Sequence, residues 1–115
     1  MKADLDRLFA AAKAEGRAVF LPYLMAGIPD LESSVSMFEA MAEAGADGFE
    51  VGLPYADPLM DGPVIQRAGK AALGNGTTVE RGLEILRAVV DRTAKPCVVM
   101  TYTNPVLRYG AADFA

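Results

Sequence analysis

The chain has 115 residues, of which 52% are apolar and 23% charged, and its formal net charge is −4. That length bounds it to one domain at most, with room for a real core but well short of the roughly 250 residues of an α/β barrel. The acidic balance and the lack of any basic cluster argue against nucleic acid, and with no histidine and one cysteine no His/Cys metal site can be built.

The single thiol, Cys97, excludes an intramolecular disulfide framework and reads as an inert buried group in a reducing compartment. The longest apolar stretch, 18–27, is too short to span a bilayer, so no membrane association is expected. Charge runs through the N-terminus (Lys2, Asp4, Asp6, Arg7, Lys13, Glu15) where a signal peptide would carry an apolar middle, so the expected location is the cytoplasm.

Taken in order, Leu5, Leu8, Phe9 and Ala12 recur at helical spacing and Gly16 ends the pattern, which predicts a leading amphipathic helix. Residues 18–25 are an apolar run suited to a strand buried on both faces, with Pro22 requiring a bulge or an unpaired position. A turn at 27–30 follows. Asp30 is placed to cap a helix with Leu31, Val35, Phe38, Met41 and Ala42 inward and Ser33, Ser34, Glu39 and Glu43 mostly outward; Gly45 closes it.

Residues 47–52 form a second short strand, followed by a loop rich in proline, glycine and acid, and then a helical stretch from Pro63 to about Leu73. Gly74-Asn-Gly76 stops that helix; it follows a helix and lacks a phosphate loop's lysine and spacing. Thr78 caps a further helix with Val79, Leu83, Leu86 and Val90 on its inner face. Residues 97–101 are a third strand, 102–105 a turn, and 111–115 the opening of one more helix. A leading helix plus about three βα units implies a parallel α/β sheet, with functional residues at the strands' C-terminal ends. Such a chain reads as a partial domain over 1–115, incomplete at its C-terminus, and as the front part of a larger barrel.

Three carboxylates stand out. Glu50 sits between Phe49 and Val51 in a strand expected to be buried. An unpaired carboxylate there takes up a proton more readily, which suits general acid or base chemistry; the alternative is a glutamate facing the sheet's outer side or paired with a lysine. Asp57 and Asp61 lie in Pro54-Tyr-Ala-Asp-Pro-Leu-Met-Asp-Gly-Pro63, where Asp-Pro and Asp-Gly-Pro are also ordinary turn signals. The loop lacks the spacing of a calcium motif, and no metal is expected. Tyr23, Met100 and Tyr102 fall at or near strand ends, either lining the mouth beside Glu50 or packing the core.

Three segments carry a resemblance. Leu21-Pro-Tyr-Leu-Met-Ala-Gly-Ile-Pro29, Glu50-Val-Gly-Leu-Pro-Tyr-Ala-Asp-Pro-Leu-Met-Asp-Gly-Pro-Val-Ile-Gln66 and Met100-Thr-Tyr-Thr-Asn-Pro-Val106 resemble the tryptophan synthase alpha chains. The resemblance implies the N-terminal portion of a TIM (β/α)8 barrel, with an extra leading helix under the floor. It implies retro-aldol cleavage of indole-3-glycerol phosphate to indole and glyceraldehyde 3-phosphate. By it Glu50 holds the acid/base position and Asp61 stabilises charge on the indole nitrogen, while Tyr23, Met100 and Tyr102 contact substrate. Pro54, Asp57 and Asn104 fall in the segments that couple the chain to a beta-chain partner in an alpha2-beta2 complex, which holds the pyridoxal phosphate; no cofactor is implied for this chain. The phosphate-binding glycines and serine lie in later strands, so this chain alone is expected to be inactive. The competing readings are another phosphate-binding TIM-barrel enzyme, against which the Asp57–Asp61 loop argues, and a non-catalytic partial barrel used as an association module.

Overall fold

The computed structural model describes residues 2–115 and centres on a parallel sheet of three strands in the order β1-β2-β3. The elements run α1 (Lys2–Ala14), β1 (Tyr23–Met25), α2 (Ser34–Glu43), β2 (Phe49–Gly52), α3 (Pro63–Gly74), α4 (Val79–Thr93), β3 (Cys97–Met100), α5 (Thr103–Tyr109) and α6 (Ala111–Phe114). Tyr23 pairs in register with Glu50 and Glu50 with Val98; one step on, Leu24 aligns with Val51 and Val51 with Val99.

That alternation divides the sheet. Phe49, Val51 and Cys97 point to the helices and are essentially sealed, together with Phe38, Ile85 and Val89 from α2 and α4. Phe38 and Phe49 meet edge to face at 5.2 Å, fastening α2 onto β2. The other face carries Tyr23, Glu50 and Val98, none of them sealed, and Val98 is 38% exposed. At the upper end of that face Met25 is 4% exposed, its side chain against Gly69 of α3, while the lower part is open.

Several elements differ from the sequence pattern for identifiable reasons. Only Tyr23–Met25 of the first expected strand is paired. Ahead of it, the Phe20 and Pro22 carbonyls accept from the amides of Asp47 and Glu50 at 2.9 and 3.0 Å, and the Phe20 amide donates to the Asp47 carboxylate at 2.8 Å. Pro22 thus stands just ahead of the strand, where its missing N–H breaks no ladder bond and no bulge is needed. Asp30 does not cap α2: it accepts from the Ser33 amide and hydroxyl, closing a turn, and the helix begins after Ser33. Ser34, expected outward, is fully buried and accepts the Gly27 amide at 3.0 Å.

On α4 the sealed residues are Gly82, Ile85 and Val89, one step around from the expected face. At Gly82 a Cβ would lie 2.4 Å from Leu53 Cδ2, so the missing side chain lets α4 sit close over the Leu53 side chain just beyond β2. Val79, Leu86 and Val90 pack at the margin of the core. The turn expected at 102–105 is instead the start of α5, with Pro105 in its first turn, where no helical acceptor awaits the missing N–H. On α1, Ala12 is buried but Phe9 is 54% exposed, so the contact is narrower than the pattern implies. Asp4 shares a cavity with Ala94, Pro96 and Cys97, which sets the start of α1 against the lower ends of the strands.

Candidate active site

The upper ends of the strands are where chemistry-bearing side chains gather. Glu50 is half-buried on the sheet face away from the helices, alongside Tyr23 and Val98. Among the described residues its carboxylate has no hydrogen-bond or ion-pair partner. Beside it, the Tyr23 ring lies over Gly52: a Cβ there would stand 2.1 Å from Tyr23 Oη and 2.7 Å from Cζ. Glycine is therefore required for this placement. The Tyr23 hydroxyl reaches Met25 Sδ at 3.8 Å.

Tyr23 also reports on what surrounds it. Its phenol is pushed up to about 12, first by burial, then by the negative charge of Asp61 and then by that of Glu50. The charges of the strand carboxylate and the loop carboxylate are thus both felt at the Tyr23 phenol. Sequence spacing alone could not place them together, because 10 residues of irregular loop separate β2 from α3.

Asp61 is half-buried and lines a cavity of about 330 Å³ with Met25, Leu53, Ile65, Met100 and Tyr102. The cavity is mostly apolar and has one carboxylate, Asp61, in its lining. Its lining includes Asp61, Met100 and Tyr102 but not Glu50 or Tyr23, which lie on the adjoining sheet face. The Tyr102 hydroxyl accepts the Met60 amide at 2.9 Å, and its ring packs on Tyr55 at 5.2 Å.

The remaining loop residues divide. Pro54 is buried and shares a second cavity, of about 540 Å³, with Asn104 and Tyr109. Asn104 Nδ2 donates to Tyr55 Oη at 2.9 Å. Asp57 is exposed outside that cavity, and its carbonyl accepts the Leu59 amide at 2.8 Å. Leu59 and Met60 project into solvent, 88% and 87% exposed.

Three contributors escaped the sequence reading. Tyr55 and Gln66 brace the acidic loop, and the signal was present in their place at its two ends. Asn75, taken only as a helix stop, donates to the carbonyls of Gly27 and Pro29 at 3.0 and 2.7 Å and fixes the β1–α2 connection. Among the described residues no cluster of three His, Cys, Asp or Glu could hold a metal ion, and no helix is long and apolar enough to cross a membrane.

A parallel sheet with helices packed on one face, an inner face open along its lower part and carboxylates at the strands' upper ends is the N-terminal part of a TIM barrel. The sequence profile of the family described as "Tryptophan synthase alpha chain" matches residues 9–115. This chain belongs to that family. It is 50% identical over 111 residues to the tryptophan synthase alpha chain of Thermobifida fusca, covering 96% of this chain and 41% of that protein. To the Prochlorococcus marinus alpha chain it is 42% identical over 110 residues, again 96% of this chain and 41% of the relative. Tryptophan synthase from M. tuberculosis in its aminoacrylate-bound form superposes with a TM-score of 0.90 at 45% identity, covering 96% of this chain and 45% of that one. The alpha subunit from Legionella pneumophila gives 0.92 at 35% identity, covering 96% and 43%. The chain thus spans about two fifths of the length of the relatives it matches.

Proposed function

We propose that the complete barrel carrying this segment is a carbon–carbon lyase, cleaving indole-3-glycerol phosphate to indole and glyceraldehyde 3-phosphate in tryptophan biosynthesis. The observation that carries the reading is an apolar cavity walled by Met100 and Tyr102 with Asp61 in its lining, beside the sheet face that carries Tyr23 and Glu50. Retro-aldol cleavage needs a proton delivered to indole C3, a base for the glycerol hydroxyl and support for positive charge at the ring nitrogen. Protonation at C3 turns the ring into an electron sink. The bond from C3 to the glycerol carbon then breaks, its electron pair restores the indole, and the carbinol oxygen becomes the aldehyde as its proton leaves.

Glu50, fixed on a strand, serves as the acid/base group, and Asp61 on the loop supports the nitrogen. Tyr23 contacts the ring, with Met100 and Tyr102 across from it. The reaction uses acid/base groups alone, so this chain carries no cofactor of its own. Indole leaves toward a beta-chain partner in an alpha2-beta2 assembly that holds pyridoxal phosphate. Pro54, Asp57 and Asn104 belong to the coupling surface, beside the projecting Leu59 and Met60. The protein works in the cytoplasm.

Strands that would hold the substrate phosphate lie outside these residues, so the isolated chain is inactive. Indole release by the isolated chain would contradict that statement. In the full-length protein, Asp61→Asn tests the reading: kcat for indole release falls by about 100-fold, and near-normal turnover would remove Asp61 from the chemistry.

A further inference from the structure

The 53–62 loop presents a physical problem. Buried Leu53 and Pro54 anchor its start, but the segment around Asp61 has no regular secondary structure, and Leu59 and Met60 beside it are 88% and 87% exposed. Something else must set where its carboxylate stands. We propose that Tyr102 and Gln66 are positioning residues, a two-point latch that holds the loop so that Asp61 faces the cavity. The catalytic consequence rests on the retro-aldol reading, whereas the latch rests on contacts within this chain.

The two points flank Asp61 closely. Ahead of it, the Met60 amide donates to Tyr102 Oη at 2.9 Å. At Asp61 itself, Gln66 Nε2 donates to the backbone carbonyl at 2.8 Å, and it also reaches the Pro58 carbonyl at 3.5 Å. Both anchors stand on firm ground. Tyr102 is the N-cap residue of α5, two residues beyond the end of β3, and Gln66 lies in the first turn of α3. Tyr102 is itself braced, its ring 5.2 Å from that of Tyr55, whose hydroxyl accepts Asn104 Nδ2 at 2.9 Å.

The order of events follows from the geometry. Loss of either hydrogen bond leaves the segment around Asp61 held on one side only, and the Asp61 carboxylate spends part of its time away from the cavity. Ground-state substrate binding, made largely by the apolar walls, is touched less than the step that needs the carboxylate in place. Gln66 and Tyr102 therefore act on kcat through Asp61.

The test uses the full-length protein with two variants that keep shape. Tyr102→Phe retains the ring against Tyr55 and removes the acceptor; Gln66→Met retains length and removes the donor. Hydrogen exchange at the Met60 amide should accelerate about tenfold in Tyr102→Phe, while the Val51 amide in β2 is unchanged. In both variants kcat for indole release should fall about tenfold with KM altered less than about twofold. Unchanged Met60 exchange in Tyr102→Phe would overturn the latch. Faster exchange with undiminished kcat would overturn its positioning role. If the unmutated protein releases no indole, the retro-aldol reading fails, and Met60 exchange alone then decides whether the latch exists.

Discussion

Gly52→Ala probes the placement of Tyr23 by moving the one group that senses the charges of both Glu50 and Asp61. The added methyl would sit 2.1 Å from Tyr23 Oη, 2.7 Å from Cζ and 3.0 Å from Cε2. Ordinary carbon contacts lie near 3.5–4.0 Å, so the end of the ring must shift by about 1.5 Å. Tyr23 is only half-buried, so the ring swings outward rather than the sheet parting. The cost should fall at the low end of overpacking, about 1 kcal/mol, or about 4 °C in Tm for a chain of this size.

The specific readout is the phenol. Tyr23 is held up to about 12 by burial, Asp61 and Glu50 in that order, and outward rotation returns it toward 10. Between those values the native protein keeps a proton that the unfolded chain has lost. The contribution to stability is thus complete below about pH 10 and lost as pH rises through about 12. Near-ultraviolet difference titration, with Tyr23→Phe subtracted, isolates this tyrosine from the other three. Gly52→Ala should lower its midpoint by more than one pH unit. A midpoint that stays near 12 in the variant would refute the claim that this placement depends on the absent Cβ.

Other perturbations test separate parts of the account. Thr77 is 2% exposed and its hydroxyl has no partner among the described residues, so Thr77→Val should be neutral or stabilise by up to about 1 kcal/mol in urea unfolding. The Asp47 carboxyl is held below its usual value, chiefly by the Arg17 side chain and then by the Phe20 amide. That contribution is present above about pH 4 and lost as pH falls through the lower native value, so Asp47→Asn should flatten acid denaturation in this range. Burial pushes the Cys97 thiol up to about 11, and a disulfide reagent at pH near 8 should label it only after denaturant is added.

How much of this was legible in the sequence depended on how local the cause was. Thr78 announced α4 because a cap acts within three residues, and its hydroxyl does accept the Arg81 amide at 3.1 Å. The alternation of Phe49, Glu50 and Val51 announced β2, and its acid pointed to the loop that follows as a candidate site. Asp30 failed as a helix cap because the turn it closes competes for the same oxygen atoms. Ser34 read as a surface residue because nothing nearby in sequence reveals that the Gly27 amide, seven residues back, needs its hydroxyl. The α4 face was misjudged by one step because Gly82 supplies no apolar signal, yet its missing side chain lets α4 sit close over Leu53. The family motifs supplied roles for Glu50 and Asp61 that pattern alone left open, but not the bracing of their loop by Tyr55, Gln66 and Tyr102.

Those roles meet their most direct test in Glu50→Gln. The substitution keeps size and hydrogen-bonding capacity while removing the proton that the strand residue must deliver and recover. The full-length protein carrying it should bind indole-3-glycerol phosphate with near-normal affinity and release indole at least about 100-fold more slowly in a single turnover. Near-normal single-turnover cleavage by Glu50→Gln would contradict the account, because the carboxylate on the inner face of β2 would then have no part in the chemistry.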